Sequence, residues 1–126
     1  RTGGIGVKDI WFSAKSGGNW SAPVNMGAPF NSVGDDDQLW ISPVGADVYW
    51  NGPQGLMHCL SNGTTCSAAP EVVVIPGCDY AAEASMPDDG QTLYFGCADL
   101  TTGMVRIMYS IKQANGSWGM ATPVDQ

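Results

Sequence analysis

The sequence predicts an all-β fold, and three observations lead to this prediction. Only 13% of the 126 residues are charged, while 17 glycines and eight prolines place turn signals every few residues. The segments between the turns are short and contain alternating, β-branched or aromatic residues, as strands do. Two stretches, 35–50 and 82–95, share one plan: an acidic residue, a short strand, a turn containing Pro and Gly, and an aromatic return strand. Each stretch is predicted to be a β-hairpin.

The chain opens with a glycine-rich stretch, R-T-G-G-I-G-V-K-D-I, which leads into a predicted strand at residues 10–13. A phosphate-binding glycine loop follows a strand and opens a helix, whereas a β-type segment comes next here. The opening is therefore not expected to bind a nucleotide. A polar turn at 15–19 precedes a predicted strand at 20–26, and Pro23 places that strand at a sheet edge because proline has no N–H to donate.

The two hairpins and the segments around them supply the remaining strands. In the first hairpin, 39–41 is the outgoing strand, 42–45 is the turn and 48–50 is the return strand. The second hairpin turns at 87–90, where Pro and Asp-Gly favour the required backbone angles. The segment 81–84 has helical propensity and is predicted to be a strand only because it repeats the first hairpin. Further strands are predicted at 56–60, 72–75, 93–95, 104–110 and 118–124.

Four cysteines, at positions 59, 66, 78 and 97, favour a disulfide framework, since none of their spacings is the two-residue spacing of zinc or redox motifs. Cys59 and Cys66 flank an Asn-Gly turn, so their sulfur atoms can face each other. Cys78 and Cys97 lie at the two ends of the second hairpin. We therefore predict the pairs 59–66 and 78–97 among three connectivities, and with them an oxidising location: secreted, cell-surface or periplasmic.

Three Asn-X-Ser/Thr sequons, at Asn19, Asn62 and Asn115, lie in turn-like sequence. They are expected glycosylation sites if the protein is secreted from a eukaryotic cell, and they would stay unmodified in most bacteria.

The charge of the chain excludes several classes of partner. Twelve acidic and five basic residues give a formal net charge of −7, so no basic stripe is available to bind nucleic acid or an anionic membrane surface. No apolar run approaches the roughly 18 residues of a membrane-spanning helix, and the N-terminus lacks the plan of a signal peptide. No membrane insertion is expected, and Arg1 is not expected to begin the translation product.

The densest acidic cluster, Asp35-Asp36-Asp37, is the candidate metal site, because calcium prefers carboxylate and carbonyl oxygens. The favoured interpretation is a solvated loop whose carboxylates accept hydrogen bonds from turn N–H groups, since three adjacent acids cannot all point at one ion. Apart from calcium, no cofactor is expected.

A second candidate site consists of two carboxylates at approximately equivalent positions of the two hairpins, Asp37 and Glu83. Such a pair could act as acid and base in a glycoside hydrolase. The favoured interpretation is again structural, because acids that recur once per repeat usually stabilise the repeat.

Aromatic residues provide the third group of candidates. Trp11 and Trp50 could stack on a sugar ring, although packing in the core is the favoured role for each. Trp20 and Trp118 occupy one equivalent place per repeat and are predicted to be packing residues. His58, the single histidine, adjoins a cysteine that is predicted to be bonded, and no G-x-S-x-G motif accompanies it, so we expect a structural or exposed side chain.

The repeat extends over most of the chain. The segment 10–13, followed by Trp20 and Pro23-Val24, is matched by 107–110, Trp118 and Pro123-Val124, and the two hairpins lie about 45 residues apart, the size of a four-stranded propeller blade. The motifs R-T-G-G-I-G-V-K-D-I-W-F-S, N-W-S-A-P-V-N-M-G and S-P-V-G-A-D-V-Y-W resemble the WD40-like repeats of TolB-type β-propellers. The chain departs from that pattern at Val44, where the family has Asp, and at the cysteines within 56–75.

The resemblance implies a single β-propeller segment over 1–126, with a partial blade at 1–32 and blades at 33–77 and 78–126, roughly two and a half blades in all. A closed ring needs about four, so further blades from the same parent chain or self-association are expected. The expected function is a secreted or periplasmic module that binds a protein or a glycan. The alternatives are half of a propeller-type glycoside hydrolase and a structural subunit of a larger extracellular assembly.

Overall fold

The computed structural model describes residues 2–43 and 46–124, and within them all regular structure is β-strand. Val44 and Gly45, in the predicted turn of the first hairpin, lie outside the described residues. The all-β prediction is confirmed. The strands, in chain order, are β1 (Trp11–Phe12), β2 (Lys15–Ser16), β3 (Asn19–Trp20), β4 (Val24–Asn25), β5 (Asp37–Ile41), β6 (Asp47–Gly52), β7 (Gly55–Leu60), β8 (Glu71–Val72), β9 (Tyr80–Ser85), β10 (Thr92–Ala98), β11 (Val105–Ile111) and β12 (Thr122–Pro123).

The strands form four antiparallel sheets. Strand β1 pairs with β4, and β2 pairs with β3 in a short ribbon. Strands β5 to β8 form one four-stranded sheet in chain order, and β9 to β12 form another. The segment 81–84 lies in β9, so tertiary pairing prevails over its helical propensity. We call β1 with β4 the first sheet, β5–β8 the second and β9–β12 the third.

The second and third sheets have the same architecture, and both have a register shift in the pairing of their first strand. The pairing of β5 with β6 shifts between Asp37 and Trp40, and the pairing of β9 with β10 shifts in the same way. At each bulge one residue adopts a left-handed backbone: Gln38 at φ 55° and Glu83 at φ 56°. The structural counterpart of Glu83 is therefore Gln38, one residue from the Asp37 position that the sequence alignment suggested.

A recurring hydrogen bond extends the repeat to the first sheet. In each sheet, the residue that follows the last strand donates its backbone N–H to a carbonyl in, or just before, the strand that pairs with that last strand. The three pairs are Met26 to Ile10 at 3.1 Å, Val73 to Leu56 at 2.8 Å and Val124 to Ile107 at 3.2 Å. This alignment makes Asn25, and not Pro23, the counterpart of Pro123.

The second sheet has a hydrophobic core on each of its faces, because successive side chains of β6 point in opposite directions. Val48 and Trp50 pack with Ile10 and Phe30 toward the first sheet, and the Phe30 and Trp50 rings meet edge to face at 5.1 Å. Tyr49 points the other way, into a core shared with the third sheet. The three sheets therefore lie as layers with the second in the middle.

The side of the first sheet that faces away from the second has no covering sheet among the described residues. Trp118 is 9% exposed in the core between the second and third sheets, whereas its counterpart Trp20 is 67% exposed. The prediction that both tryptophans are packing residues is right for Trp118 and wrong for Trp20. The reason is the order of the layers: Trp20 lies in the exposed ribbon β2–β3, and no other sheet among the described residues covers it.

Polar contacts hold the N-terminal segment in place. Val7 N–H donates to the Gly34 carbonyl, and Asp36 N–H donates to the Lys8 carbonyl. Gly6 lies so close to the backbone oxygens of the opposing loop that a Cβ atom there would collide with them. Gly6 thus has a packing role in the glycine-rich opening.

Two disulfides are present, Cys59–Cys66 and Cys78–Cys97, with Cα–Cα distances of 5.8 and 5.7 Å. This is the connectivity that the sequence predicts. Disulfides of this kind are typical of proteins in oxidising compartments. Across the described ranges, no helix has the length and apolar character required to cross a membrane.

Candidate functional site

A cleft of about 690 Å³ opens between the second and third sheets. One wall comes from β6, β7 and the extended segment 67–74, and the other comes from the loop 112–118 that follows β11. The cleft therefore lies at the junction of two layers, where neither sheet alone could form it. Such junctions are common ligand sites because they combine a rigid floor with adaptable loops.

His58 lies on the floor of the cleft between two carboxylates. Its Nε2 is 2.8 Å from Asp47 Oδ1, and its Nδ1 is 3.0 Å from Glu71 Oε1. The strand order explains this arrangement: β7 lies between β6 and β8, and His58 pairs with Tyr49 on one side and with Glu71 on the other. The ring also stacks at a tilt on Tyr49, with 4.6 Å between centroids.

The protonation state of His58 determines how many of its two neighbouring carboxylates receive a hydrogen bond from the ring. A neutral imidazole carries one N–H and can donate to one carboxylate, whereas a protonated imidazolium donates to both at once. Desolvation, followed by the charges of Asp47 and Glu71, holds the pKa of the Tyr49 phenol above its ordinary value, so Tyr49 stays neutral. The floor of the cleft carries two carboxylates that can accept hydrogen bonds, those of Asp47 and Glu71. The Glu71 side chain is 73% exposed.

The opposite wall is built by the loop after β11. Lys112 Nζ lies 5.9 Å from the centre of the Trp118 ring, and Trp118 itself is buried. Asn115 Oδ1 accepts hydrogen bonds from the N–H and hydroxyl of Ser117, which fix the turn. Between the two walls, aliphatic side chains line the opening, among them Leu60 at 52%, Val72 at 39% and Val74 at 75% exposure.

The acidic cluster at 35–37 does not converge on one point. Asp36 is buried and accepts hydrogen bonds from the N–H and hydroxyl of Ser32 at 2.6 and 2.7 Å. Asp37 contacts Lys8 Nζ at 3.0 Å, and Asp35 lies 3.9 Å from the same ammonium. In the part of the chain that the structure describes, no three His, Cys, Asp or Glu residues are placed to hold a metal ion together.

Asp37 and Glu83, the candidate carboxylate pair, are linked through Asn51. The Asn51 amide donates to Asp37 Oδ1 at 3.0 Å, and its oxygen accepts from the Glu83 backbone N–H at 2.9 Å. The Glu83 carboxylate contacts Gln38 Nε2 at 3.4 Å. These contacts connect the first strands of the second and third sheets.

The two candidate sugar-stacking tryptophans differ in accessibility. Trp50 is 1% exposed and packs against Phe30, so it cannot stack on a sugar, and the favoured core role is confirmed. Trp11 is half-buried at the edge of the first sheet. Neither lines the cleft.

The three sequon asparagines are all exposed. Asn62 Oδ1 accepts hydrogen bonds from the N–H and the hydroxyl of Thr65, and Asn115 makes the corresponding contacts with Ser117. Asn115 also lines the cleft, whereas Asn19 lies in the exposed ribbon β2–β3.

Sequence reasoning missed the group formed by His58 and its two carboxylates. Asp47, His58 and Glu71 are separated by 11 and 13 residues, and no motif of that spacing marks them. The available signal was the strand register: once β6, β7 and β8 are paired, the three side chains share one face of the sheet. Comparisons of the chain with family models, curated proteins and solved structures found no match.

Proposed function

We propose that the three layers are successive blades of a β-propeller segment, located in a secreted or periplasmic protein, and that the cleft binds an extended segment of a protein partner. The observation that carries the binding function is the cleft itself, with exposed aliphatic side chains beside the Asp47–His58–Glu71 group. The recurring bond in the first, second and third sheets supports the blade arrangement.

The chemistry of the cleft favours a peptide over a glycan. Sugar sites usually present an exposed aromatic ring, yet both aromatic residues that line this cleft are buried, Tyr49 at 1% and Trp118 at 9% exposure. The exposed lining is instead aliphatic, and it adjoins carboxylates that can accept hydrogen bonds from a lysine or arginine side chain. A segment with an aliphatic and a basic residue side by side would satisfy both features.

The strand beside the cleft offers a way to hold such a segment. Strand β8 is the edge strand of the second sheet and pairs only with β7 among the described strands. An extended peptide can add to a sheet edge through main-chain hydrogen bonds, while neighbouring side-chain pockets provide specificity.

Selection from a displayed library of random peptides on the immobilised chain tests the proposal. We expect enrichment of peptides that contain Lys or Arg next to an aliphatic residue. Val74→Asp should weaken their binding by about tenfold, because it replaces apolar contact area of roughly one side chain with a charge. Glu71→Lys should weaken it as well, and more strongly at low salt.

Val33→Asp is the matched control, since Val33 is 84% exposed and does not line the cleft. Peptides that bind Val74→Asp as tightly as the unaltered chain would contradict the proposed site. A chain that binds immobilised oligosaccharides and selects no peptides would overturn the choice of a protein ligand.

A further inference from the structure

The third sheet carries an apolar face that nothing covers among the described residues. Its members lie on alternate positions of β11 and on β10: Val105 at 66%, Ile107 at 61%, Ile111 at 51% and Tyr94 at 39% exposure, with Tyr109 half-buried beside Tyr94 at 6.2 Å between ring centroids. We call this the C-terminal face. A contiguous apolar surface on a sheet is unusual for a side that remains in water.

The second sheet shows what covers this kind of face. Tyr49 and Leu56 are the counterparts of Tyr94 and Ile107, the first by its position in the repeated hairpin and the second by the recurring hydrogen bond. Both are 1% exposed, because the third sheet packs on them with Trp118 in the same core. Inside the chain, then, the face is covered by the opposite face of another sheet of the same repeat.

The ribbon β2–β3 carries the counterpart of that opposite face, and no sheet covers it among the described residues. Its marker is Trp20, which is 67% exposed, whereas its counterpart Trp118 is buried against the second sheet. The match between the two tryptophans is close in detail: Lys15 pairs with Trp20 and Lys112 with Trp118, and each lysine lies over the ring, at 5.6 and 5.9 Å. We call the side that carries Trp20 the N-terminal face.

We propose that two copies of this chain associate head to tail, with the N-terminal face of one copy packed on the C-terminal face of the next. Trp20 of one copy then occupies, against Tyr94 and Ile107 of its neighbour, the place that Trp118 occupies against Tyr49 and Leu56. The contact is heterologous, so it leaves one free face at each end and permits further addition. The proposal depends on the repeat and is independent of the peptide-binding function.

The solution mass of the chain, measured by light scattering over a wide range of protein concentration, tests the association. We expect the mass to rise with concentration. Ile107→Lys places a charge on the C-terminal face, and Trp20→Ser removes the large apolar side chain of the N-terminal face. Each variant alone should therefore stay monomeric. Both positions are exposed, and unchanged far-ultraviolet circular dichroism checks that the variants fold.

Mixing the two variants is the decisive measurement. The Ile107→Lys chain retains an intact N-terminal face and the Trp20→Ser chain retains an intact C-terminal face, so equal amounts should form a dimer with twice the mass and no larger species. Val33→Lys, an exposed apolar position off both faces, should associate as the unaltered chain does.

Three results would overturn the proposal. One is an unaltered chain that stays monomeric at every concentration. Another is loss of association in only one of the two variants, which indicates a symmetric contact of one face with itself or a different partner surface. The third is a mixture that remains monomeric although both variants are folded.

Discussion

Asn31 is a buried side-chain amide that connects the first sheet to the loop leading into the second. Its oxygen accepts from the Ile10 N–H at 2.7 Å, and its nitrogen donates to the Ile10 carbonyl at 2.9 Å and to Asn25 Oδ1 at 2.7 Å. Asn31 is 4% exposed, so water cannot replace these partners without opening the loop. The amide therefore completes the polar bonding of Ile10, the residue just before β1.

Asn31→Ala should lower the free energy of unfolding by about 1–3 kcal/mol, because it leaves the buried Ile10 N–H without an acceptor, while the Ile10 carbonyl keeps its bond from the Met26 N–H. Urea unfolding of the two proteins measures the difference. Asn115→Ala is the control: its bonds to Ser117 are exposed and local, so the loss should stay within about 0.5 kcal/mol. Equal losses at the two positions would show that the buried amide has no special role.

Individual side chains also show where sequence reasoning reached its limit. The alternation of Val48, Tyr49 and Trp50 predicts a strand, but both of its faces are apolar, and the pattern does not reveal which layer covers each. The sequence predicts a structural or exposed His58 but not its two carboxylate partners, because they come from two other strands. The partners of such a residue can be predicted only when the strand register is known, and the register depends on the whole sheet.

The hairpins were predictable because turn chemistry is local. Pro and Asp-Gly at 87–90 determine a turn, and Asp89 adds hydrogen bonds from Gln91 and Thr92 N–H that also hold the pKa of its carboxyl below the ordinary value. The bulges at Gln38 and Glu83 were not predictable. Neither residue type favours a left-handed backbone, so the bulge arises from pairing between strands.

The two disulfides close loops of different length and should differ in their effect on stability. The cysteines are 7 residues apart in Cys59–Cys66 and 19 apart in Cys78–Cys97. Loop-closure entropy then predicts a loss of about 2 kcal/mol when the first pair is replaced by serine and about 3 kcal/mol for the second. Guanidinium unfolding of the two double variants gives the comparison. A larger loss for the 59–66 pair would mean that packing of Cys59 in the core, and not chain entropy, dominates.

The order of the layers should appear as a gradient of hydrogen exchange across the molecule. Strand β6 lies between two cores and has paired neighbours on both sides, whereas the ribbon β2–β3 is exposed throughout. Amides of β6 should exchange only through global unfolding, and those of β2–β3 through local opening. Exchange followed by mass spectrometry on peptic fragments measures both. Comparable protection in the two regions would contradict the layered arrangement.

The arrangement of the whole molecule could be predicted only in part. Repeat spacing and strand count follow from turn positions, and they indicate all-β sheets of similar size. Which faces are covered does not follow, because Trp20 and Trp118 look alike in sequence and differ only in what lies beside them. The cleft could not be predicted for the same reason, since it exists only where the loop after β11 meets the face of the second sheet.

The two-sided burial of β6 also constrains how this chain can change in length during evolution. Deleting or inserting a single residue within the strand would rotate every following side chain to the opposite side, sending Tyr49 toward Phe30 and Trp50 toward the third sheet. Both cores would lose their shape in one event. Insertions and deletions among descendants of this sequence should therefore concentrate in exposed segments such as 62–65 and be absent from 47–52.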